Sequence, residues 1–330
     1  MKIKVMGRGM VGGSAIFEYA PGFVFDYGAD CRDYDWLVVY DEMPNNDVGT
    51  FHDGYEPLAC PRECTILATV EPTSIKSYSR AYSHQFGHLL TNRPQSAERH
   101  PHYHLGRGYY YWFIGRTYRE CVETVIPPKE KSISVVCSSK QMRNTKHGAR
   151  YRLAEALVAA IPGMEWFGHG VRDFDKKYTT LDPYKYHVTI ENHIEPHHWS
   201  EKLADAFLAE CLPLYAGDPI ADEVFPSESF IPIPIDDPDE AVKIVKAAMA
   251  SGEYEKRREA ILEAKRLVLS KYNFWAQVIE LIKSESGQKT TSVAPSNPVR
   301  IYARKALRKH SLSAALEDGF SHLRQYLRFP

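Results

Sequence analysis

The chain has 330 residues and a mass of 37.7 kDa, and its 41 basic side chains nearly balance its 42 acidic ones. This length exceeds the usual size of one domain and predicts two. The balanced charge lacks the overall positive signature of a nucleic-acid-binding protein, so no nucleic-acid partner is expected and any polyanion site must be local. A hydrophobic fraction of 44% excludes disorder for most of the chain.

Targeting signals and covalent cross-links are not predicted. No run of about 18 apolar residues exists, and Met1–Met6 is too short for the apolar region of a signal peptide. The six cysteines are scattered along the chain rather than grouped in a disulfide framework, so reduced thiols are expected. Together these features predict a cytoplasmic protein.

The first half of the chain carries continuous apolar runs of strand length. They are Ile3–Met6, Trp36–Tyr40 and Thr65–Thr69. Continuous rather than alternating apolar runs are typical of buried parallel strands. A cluster of proline and charged residues at Val125–Lys131 is typical of a linker. We therefore predict a first β/α domain over residues 1–128.

The second half repeats the alternation of strands and helices. Strands are predicted at Ile133–Cys137, Glu165–Gly168, Tyr186–Ile190 and Leu212–Tyr215, and helices at Arg150–Ala160, Ala241–Met249 and within Glu253–Lys283. This order predicts a second β/α domain over residues 129–285, with a cleft between the domains. Residues 286–330 are predicted to be a flexible tether followed by a tail.

The tail over residues 299–330 is basic and amphipathic. It has seven basic and two acidic side chains, a net charge of +5, with leucines interleaved. Such a segment can lie on an anionic membrane surface, which would make the protein peripheral at the inner membrane. A helix packed on a domain or subunit is an equally good interpretation.

Gly7, Gly9 and Gly12 form a G-x-G-x-x-G motif after a strand, which is the pattern of a dinucleotide-binding loop. That loop requires a full helix after the glycines, whereas Pro21-Gly22 interrupts the chain after about two turns. Asp26 is the candidate acid for the ribose hydroxyls. An NAD(P)-binding oxidoreductase is therefore one alternative function.

A cluster of histidines lies later in the first half. They are His84, His88, His100, His102 and His104. The last three alternate, so a strand would place their imidazoles on one face, where they could hold a metal. No carboxylate or cysteine sits at a fixed offset from them. Surface or acceptor-cleft histidines are the favoured interpretation, and no metal site is predicted.

The most specific pattern runs from Tyr184 to Pro219. A buried strand ends in Glu191-Asn192, a polar loop follows, and a helix opens with Ser200 as candidate N-cap. A helix start offers free backbone N–H groups and a positive dipole end, and Lys202 adds a full charge. The pattern predicts a phosphate site, although a capped surface helix would look similar.

The whole string resembles the donor-domain signature of the family 10 glycosyltransferases, the α-1,3/4-fucosyltransferases. The matching residues are Tyr184–Tyr186, Glu191-Asn192, Ser200–Lys202 and Gly217–Pro219, together with Ile133–Ser139 and Arg150 upstream. The resemblance covers residues 130–285 well and the N-terminal half loosely.

The resemblance implies a GT-B type α/β fold, with two facing Rossmann-like domains and a C-terminal helical tail. The first domain would bind the acceptor and the second the nucleotide-sugar donor. Arg150 and Lys202 would hold the donor's diphosphate, Glu201 would bond the ribose hydroxyls, and Asn192 would help fix the nucleotide. Because these cations would stabilise the leaving diphosphate, no obligatory metal or other cofactor is implied.

Inverting transfer also needs a base for the acceptor hydroxyl. The family has a glutamate in a turn after a strand of the first domain, and Glu71-Pro72 fits this description here. A solvated loop carboxylate is the alternative interpretation of Glu71.

The chain departs from the family at His198, where the family usually has a tyrosine or similar aromatic residue three positions before the Glu-Lys pair. Imidazole ordinarily titrates near neutrality, and the position is expected beside the donor sugar. GDP-fucose is the implied donor, with another GDP-sugar as the alternative. A surface glycan such as lipopolysaccharide is the implied acceptor, and a non-catalytic sugar- or nucleotide-binding module is a third possibility.

Overall fold

The computed structural model describes residues 1–7, 20–44, 54–108, 111–140, 146–286, 299–317 and 319–320. The chain forms two compact units. Unit 1 comprises Met1–Gly106 and Val278–Pro330, and unit 2 comprises Arg107–Gln277. None of the helices among the described residues is long and apolar enough to span a bilayer.

These boundaries differ from the predicted ones after residues 128 and 285. Residues 107–128 belong to unit 2, and residues 278–285 belong to unit 1 together with the tail. The proline and charge cluster at 125–131 lies within unit 2, where the Lys129 ammonium donates to the Leu181 carbonyl at 3.5 Å. Hydrogen bonds of this kind tie the cluster to the fold, whereas its composition alone is typical of a linker.

Unit 1 is built on a parallel sheet. Its strands in chain order are β1 (Lys2–Gly7), β2 (Val24–Asp26), β3 (Trp36–Tyr40), β4 (Tyr55–Pro57), β5 (Thr65–Thr69), β6 (His88–Thr91) and β7 (Tyr103–Leu105). All except β4 form one six-stranded sheet in the order β2-β1-β3-β5-β6-β7, and every neighbouring pair is parallel. The three predicted strands are confirmed. Two short helices, α1 (Arg80–Ser83) and α2 (Gln95–Glu98), lie between β5 and β7.

Unit 2 carries a second parallel sheet. Its strands are β8 (Lys131–Val136), β9 (Glu165–Phe167), β10 (Tyr184–Ile190), β11 (Leu212–Ala216) and β12 (Ile231–Pro232). Its helices are α3 (Tyr118–Glu123), α4 (His147–Ala160), α5 (Glu201–Leu208), α6 (Pro238–Ala250), α7 (Glu253–Lys256), α8 (Arg258–Ser270) and the start of α9 (Phe274–Ser286). The predicted strands and helices of this half are confirmed.

Helices cover both faces of the unit 2 sheet. Leu153 and Leu157 of α4 pack with Val245 of α6 in one apolar layer. Phe207 of α5 and Val268 of α8 belong to a second layer. Because both faces are covered, the strands read as continuous apolar runs, which explains why they were recognisable in the sequence.

The strand order of unit 2 is β12-β11-β10-β8-β9. From β8 the chain passes through α4 to β9 on one side, and then returns to β10 on the other side of β8. The connections therefore diverge between β8 and β10. Open α/β sheets bind ligands at the carboxyl edge of such a switch point.

The described part of the tail returns to unit 1. Strand β13 (Arg300–Tyr302) pairs antiparallel with β4, and α10 (Arg304–His310) follows. Ile301 is fully buried, and the Gln85 side chain bonds both the Tyr302 N–H at 2.9 Å and its carbonyl at 3.1 Å. Residues 299–310 thus pack on their own unit, which was one of the two interpretations of the tail.

Candidate functional site

A cavity of about 440 Å³ opens at the switch point of the unit 2 sheet. The ends of β8 and β10 form its floor. Charged residues from α4, α5 and the segment before β10 line its walls, and they include Arg150, Lys177, Glu201 and Lys202 as well as Asp175 and Lys176. Three of the residues predicted to bind a nucleotide-sugar therefore line one cavity.

Arg150 lies on the first turns of α4 and is only 6% exposed. Its guanidinium donates a hydrogen bond to the side-chain oxygen of Asn192, while the Lys146 N–H bonds the Asn192 carbonyl at 3.0 Å. The buried Arg150 Nε has no hydrogen-bond partner among the described residues, and no described carboxylate pairs with Arg150. A neutral amide is a weak counterpart for a buried charge, so this cation is available to an anionic ligand.

Lys202 lies on the first turn of α5 and faces two carboxylates. Its ammonium is 2.8 Å from Glu201 and 3.4 Å from Glu191. Burial disfavours the charged form, but the charges of Glu201 and Glu191 outweigh it and raise the pKa of Lys202 above its ordinary value. Lys202 is therefore a fixed positive charge in the cavity wall.

Glu201 also stays ionised. Burial opposes its charge, but the positive charges of Lys202 and Lys177 prevail and lower the pKa of Glu201 below its ordinary value. An ionised carboxylate only accepts hydrogen bonds, so Glu201 suits a ligand that offers hydroxyl donors.

Glu191 has a role that the sequence did not reveal. Its buried carboxylate accepts from the Ser200 N–H at 2.9 Å and from the Ser200 hydroxyl at 2.6 Å. Ser200 is the N-cap of α5, as predicted, and its hydroxyl accepts from the Lys202 N–H at 3.3 Å. The N–H groups of Lys202 and Leu203 in the first turn therefore already have Ser200 as acceptor, so we attribute the anion-binding capacity of the site mainly to its side-chain cations.

Lys177 is a second residue that sequence analysis missed. It lies in the loop before β10, and its ammonium is 2.8 Å from the fully buried carboxylate of Asp205 on α5. Burial raises the pKa of Asp205 to about 6, although Lys177 opposes the shift. No motif marked Lys177 in the sequence, because its partner lies on a helix that follows the next strand.

His198 is buried in the loop between β10 and α5. Its ring packs edge to face against His193, with 5.2 Å between the ring centres. Burial, followed by the nearby His193 and Lys202, lowers the pKa of His198 to about 3. The expectation that this ring titrates near neutrality is wrong, because desolvation keeps the imidazole neutral.

The predicted turn after β11 lines a second cavity of about 540 Å³ in unit 2. The Asp218 N–H donates to the Tyr215 hydroxyl at 2.9 Å, and a Cβ on Gly217 would lie 2.2 Å from that hydroxyl. The site therefore requires glycine at residue 217. Burial raises the pKa of Asp218 to about 6.

Glu71 lies in unit 1, two residues beyond the end of β5, and is half-buried. Pro72 opens the following turn, in which its carbonyl accepts from the Ile75 N–H at 3.0 Å and the Lys76 N–H at 3.1 Å. At the same edge, the hydroxyls of Thr69 and Thr91 are 2.6 Å apart. The structure thus places Glu71 at the carboxyl edge of the unit 1 sheet, as its position after the strand predicted.

The glycine motif falls mostly outside the described residues. Gly7 ends β1, whereas Gly9 and Gly12 lie within 8–19. Asp26 ends β2 beside β1, and its carboxylate accepts from the Gly28 N–H at 2.8 Å and pairs with Lys2 at 3.2 Å. The dinucleotide-binding interpretation of this motif remains a prediction.

Comparisons with known proteins give a fold but no family. No protein-family model matches the chain, and no curated protein matches it. The chain is similar to a crystal structure of α1,3-fucosyltransferase with GDP-fucose, with a TM-score of 0.52 and 14% identity over 90% of this chain and 92% of that chain.

Two further solved structures score below a TM-score of 0.5. A crystal structure of α1,3-fucosyltransferase with GDP gives 0.48 at 14% identity over 83% of this chain and 92% of that chain. A glycosyltransferase from Rickettsia africae gives 0.48 at 8% identity over 88% and 99% of the two chains. The first comparison confirms the predicted GT-B type α/β fold, and at 14% identity it extends to the fold alone.

Proposed function

We propose that the protein is an inverting glycosyltransferase of the family 10 type, which transfers fucose from GDP-fucose to a hydroxyl of a glycan. The observation that carries the proposal is the state of Arg150. It is a buried arginine at the switch-point cavity, bonded to a neutral amide and paired with no carboxylate among the described residues. A nucleoside diphosphate would supply the missing negative charge.

In this proposal Arg150 and Lys202 bind the diphosphate of the donor. As the glycosidic bond breaks, the departing diphosphate gains negative charge, and cations already in place stabilise that charge as it develops. Arg150 can bond two phosphate oxygens at once, whereas Lys202 acts as a point charge. With two cations in this role, catalysis needs no obligatory metal or other cofactor.

The remaining donor residues would orient the nucleoside. Glu201 is ionised, so it can accept hydrogen bonds from two ribose hydroxyls. Asn192 holds the Arg150 guanidinium from the end of β10, and thereby fixes the direction in which it points. Because burial lowers the pKa of His198, we propose that it shapes the loop before α5 rather than transferring a proton.

Glu71 would be the general base of the reaction. It would accept the proton of the acceptor hydroxyl as that oxygen attacks the anomeric carbon, and attack opposite the leaving group inverts the configuration there. Under this proposal residues 1–106 bind the acceptor, and a lipopolysaccharide sugar or similar surface glycan is its class.

The tail adds a proposal about location. Leu312, Leu316 and Phe320 are 79%, 54% and 62% exposed and follow one another at helical spacing. Basic side chains of α10 precede them along the chain. An exposed apolar stripe next to cations supports the proposal of a peripheral contact with an anionic membrane surface, on the cytoplasmic side of the inner membrane.

A donor panel tests the proposal. The purified chain is incubated with GDP-fucose, other GDP-hexoses and UDP-sugars, with and without a set of oligosaccharide acceptors, and released nucleotide is measured. We expect GDP release from GDP-fucose that rises with acceptor. Turnover with a different GDP-sugar would support the transferase activity but replace GDP-fucose as the donor.

The alternatives give different results in the same experiment. Binding of NADH without binding of any GDP-sugar would overturn the proposal in favour of the glycine motif at Gly7. GDP-sugar binding without release across the acceptor set would indicate a non-catalytic binding module.

A further inference from the structure

Two histidines and one glutamate converge in unit 1. His88 lies on β6 and His104 on the adjacent strand β7, where residue 104 pairs with Leu90. The His88 Nδ1 and His104 Nε2 atoms are 3.1 Å apart. Glu285, in the last turn of α9, brings a carboxylate oxygen so that all three ligand atoms lie within 4.8 Å of one another. The carboxylate that the sequence did not place near these histidines is supplied by a distant helix.

The second nitrogen of His88 fixes the tautomer of its ring. His88 Nε2 is 3.0 Å from the carbonyl oxygen of Glu63, and a carbonyl can only accept, so this nitrogen carries the hydrogen. In the neutral ring, Nδ1 then carries no hydrogen, and its lone pair is available on the side of His104 and Glu285. Metal-binding histidines usually donate their other N–H to a carbonyl or carboxylate in this way.

The spacing suits a small tetrahedral ion. Two nitrogen ligands at about 2.0–2.1 Å from a tetrahedral zinc lie about 3.3–3.4 Å apart. The nitrogens of His88 and His104 need to separate by only a few tenths of an ångström to reach that value. Two imidazoles and one carboxylate are a recurrent ligand set for zinc, with the fourth position left for water.

We infer that His88, His104 and Glu285 form a zinc-binding site in unit 1. The site uses none of the residues proposed for sugar transfer, so it stands independently of that function. Bound zinc would join the last turn of α9 to strands β6 and β7.

The experiment is zinc titration of the full-length protein after treatment with a chelator, with competition by a zinc-binding dye and metal analysis after dialysis. We expect one zinc per chain in the wild type. His104→Ala and Glu285→Gln should each weaken binding at least about tenfold. Neither residue is fully buried, so we expect both variants to fold. Circular dichroism of each variant without metal checks this.

Glu280→Gln is the matched control, because Glu280 is exposed on the same helix and should leave zinc affinity unchanged. Cobalt substitution tests the ligand type in the wild type. We expect absorption from nitrogen and oxygen ligands without a thiolate charge-transfer band, and X-ray absorption of the zinc protein should show imidazole ligands.

Three results would overturn the inference. They are wild-type protein without bound zinc, equal affinity in the wild type and both variants, and zinc binding that is lost when the six cysteines are alkylated. The second would leave His104 as a plain hydrogen-bond donor to His88, and the third would assign the metal to cysteines.

Discussion

The cationic side chains at the carboxyl edges of the two parallel sheets differ in their partners. Among the described residues at the edge in unit 1, Lys76 and Arg93 are paired with carboxylates. Lys76 lies 2.8 Å from Asp41 and 3.1 Å from Glu42, and Arg93 lies 2.7 Å from Glu98. At the edge in unit 2, Lys202 is also paired with carboxylates, whereas the buried Arg150 bonds the neutral side chain of Asn192.

Although both edges belong to parallel sheets, this difference makes them suitable for different kinds of ligand. An edge whose cations are already paired has little to gain from a polyanion, and suits neutral hydroxyl-rich molecules. An edge with an unbalanced buried cation is incomplete without an anion. The comparison therefore favours a phosphate-bearing donor on unit 2 and a sugar acceptor on unit 1, in keeping with the proposed function.

The largest expected effect comes from Glu71. Replacing it by Gln removes the proposed base, so we expect transfer to fall by about 10²- to 10⁴-fold while GDP affinity stays the same. Transfer kinetics and calorimetric GDP titration measure the two quantities. Asp33→Asn, at a carboxylate whose side chain is 98% exposed in the same unit, is the control. Loss of GDP affinity in Glu71→Gln would assign this residue to donor binding and would contradict the proposal that the donor binds only to unit 2.

Arg150→Gln should have the next largest effect. It removes the unbalanced charge, so we expect kcat to fall by about 10²- to 10³-fold and GDP to bind more weakly. Arg152→Gln is the matched control, because Arg152 lies exposed on the same helix. Unchanged GDP affinity in a folded Arg150→Gln protein would contradict the role of Arg150 in diphosphate binding.

His198 gives a prediction about acid stability. Its pKa is about 3 in the folded protein, below the ordinary value of about 6.5. Between pH 6.5 and pH 3, His198 is therefore protonated in the unfolded chain but not in the folded chain. The wild type therefore loses stability as pH falls from about 6.5 towards 3, and His198→Gln lacks this part of the loss.

Melting temperatures of both proteins between pH 7 and pH 4 measure this effect. Loss of packing lowers the stability of His198→Gln at pH 7, and we expect the difference from the wild type to shrink on acidification. A difference that is constant with pH would show that His198 is not held neutral by burial.

The smallest effect concerns the tail. Replacing Leu312 and Leu316 by Ser should weaken binding to anionic vesicles several-fold and leave GDP affinity unchanged, because the two leucines are exposed. Co-sedimentation with vesicles of anionic and of neutral lipid measures the difference. Substitution is cleaner than deletion of residues 299–330, which would also remove Ile301 from the core. Equal vesicle binding by the two proteins would argue against membrane contact through this segment.

Much of this structure could be predicted because it depends on local patterns. The strands were visible as continuous apolar runs, since both faces of a parallel sheet are covered. Ser200 was recognisable as an N-cap because capping acts over three residues. Arg150, Glu201 and Lys202 were found through a family-like string, and the structure brings them to one cavity.

The rest depends on contacts between distant residues. Glu191 reaches the start of α5 only because the intervening loop folds back, and Lys177 pairs with Asp205, which lies 28 residues later on α5. Glu285 approaches His88 from a helix that the sequence places in the second domain. Contacts between residues far apart in the chain leave no periodic pattern, so the sequence reveals the residues but not their partners.

The return of the tail to unit 1 has a consequence for biosynthesis. Strand β4 and the apolar pocket for Ile301 are synthesised before unit 2, whereas their partner strand β13 is synthesised after it. The whole of unit 2 is synthesised in between and can fold first, because domains generally fold as units. Until β13 has been synthesised, unit 1 carries an open strand edge that can pair with other chains, so premature termination after unit 2 would produce an aggregation-prone product.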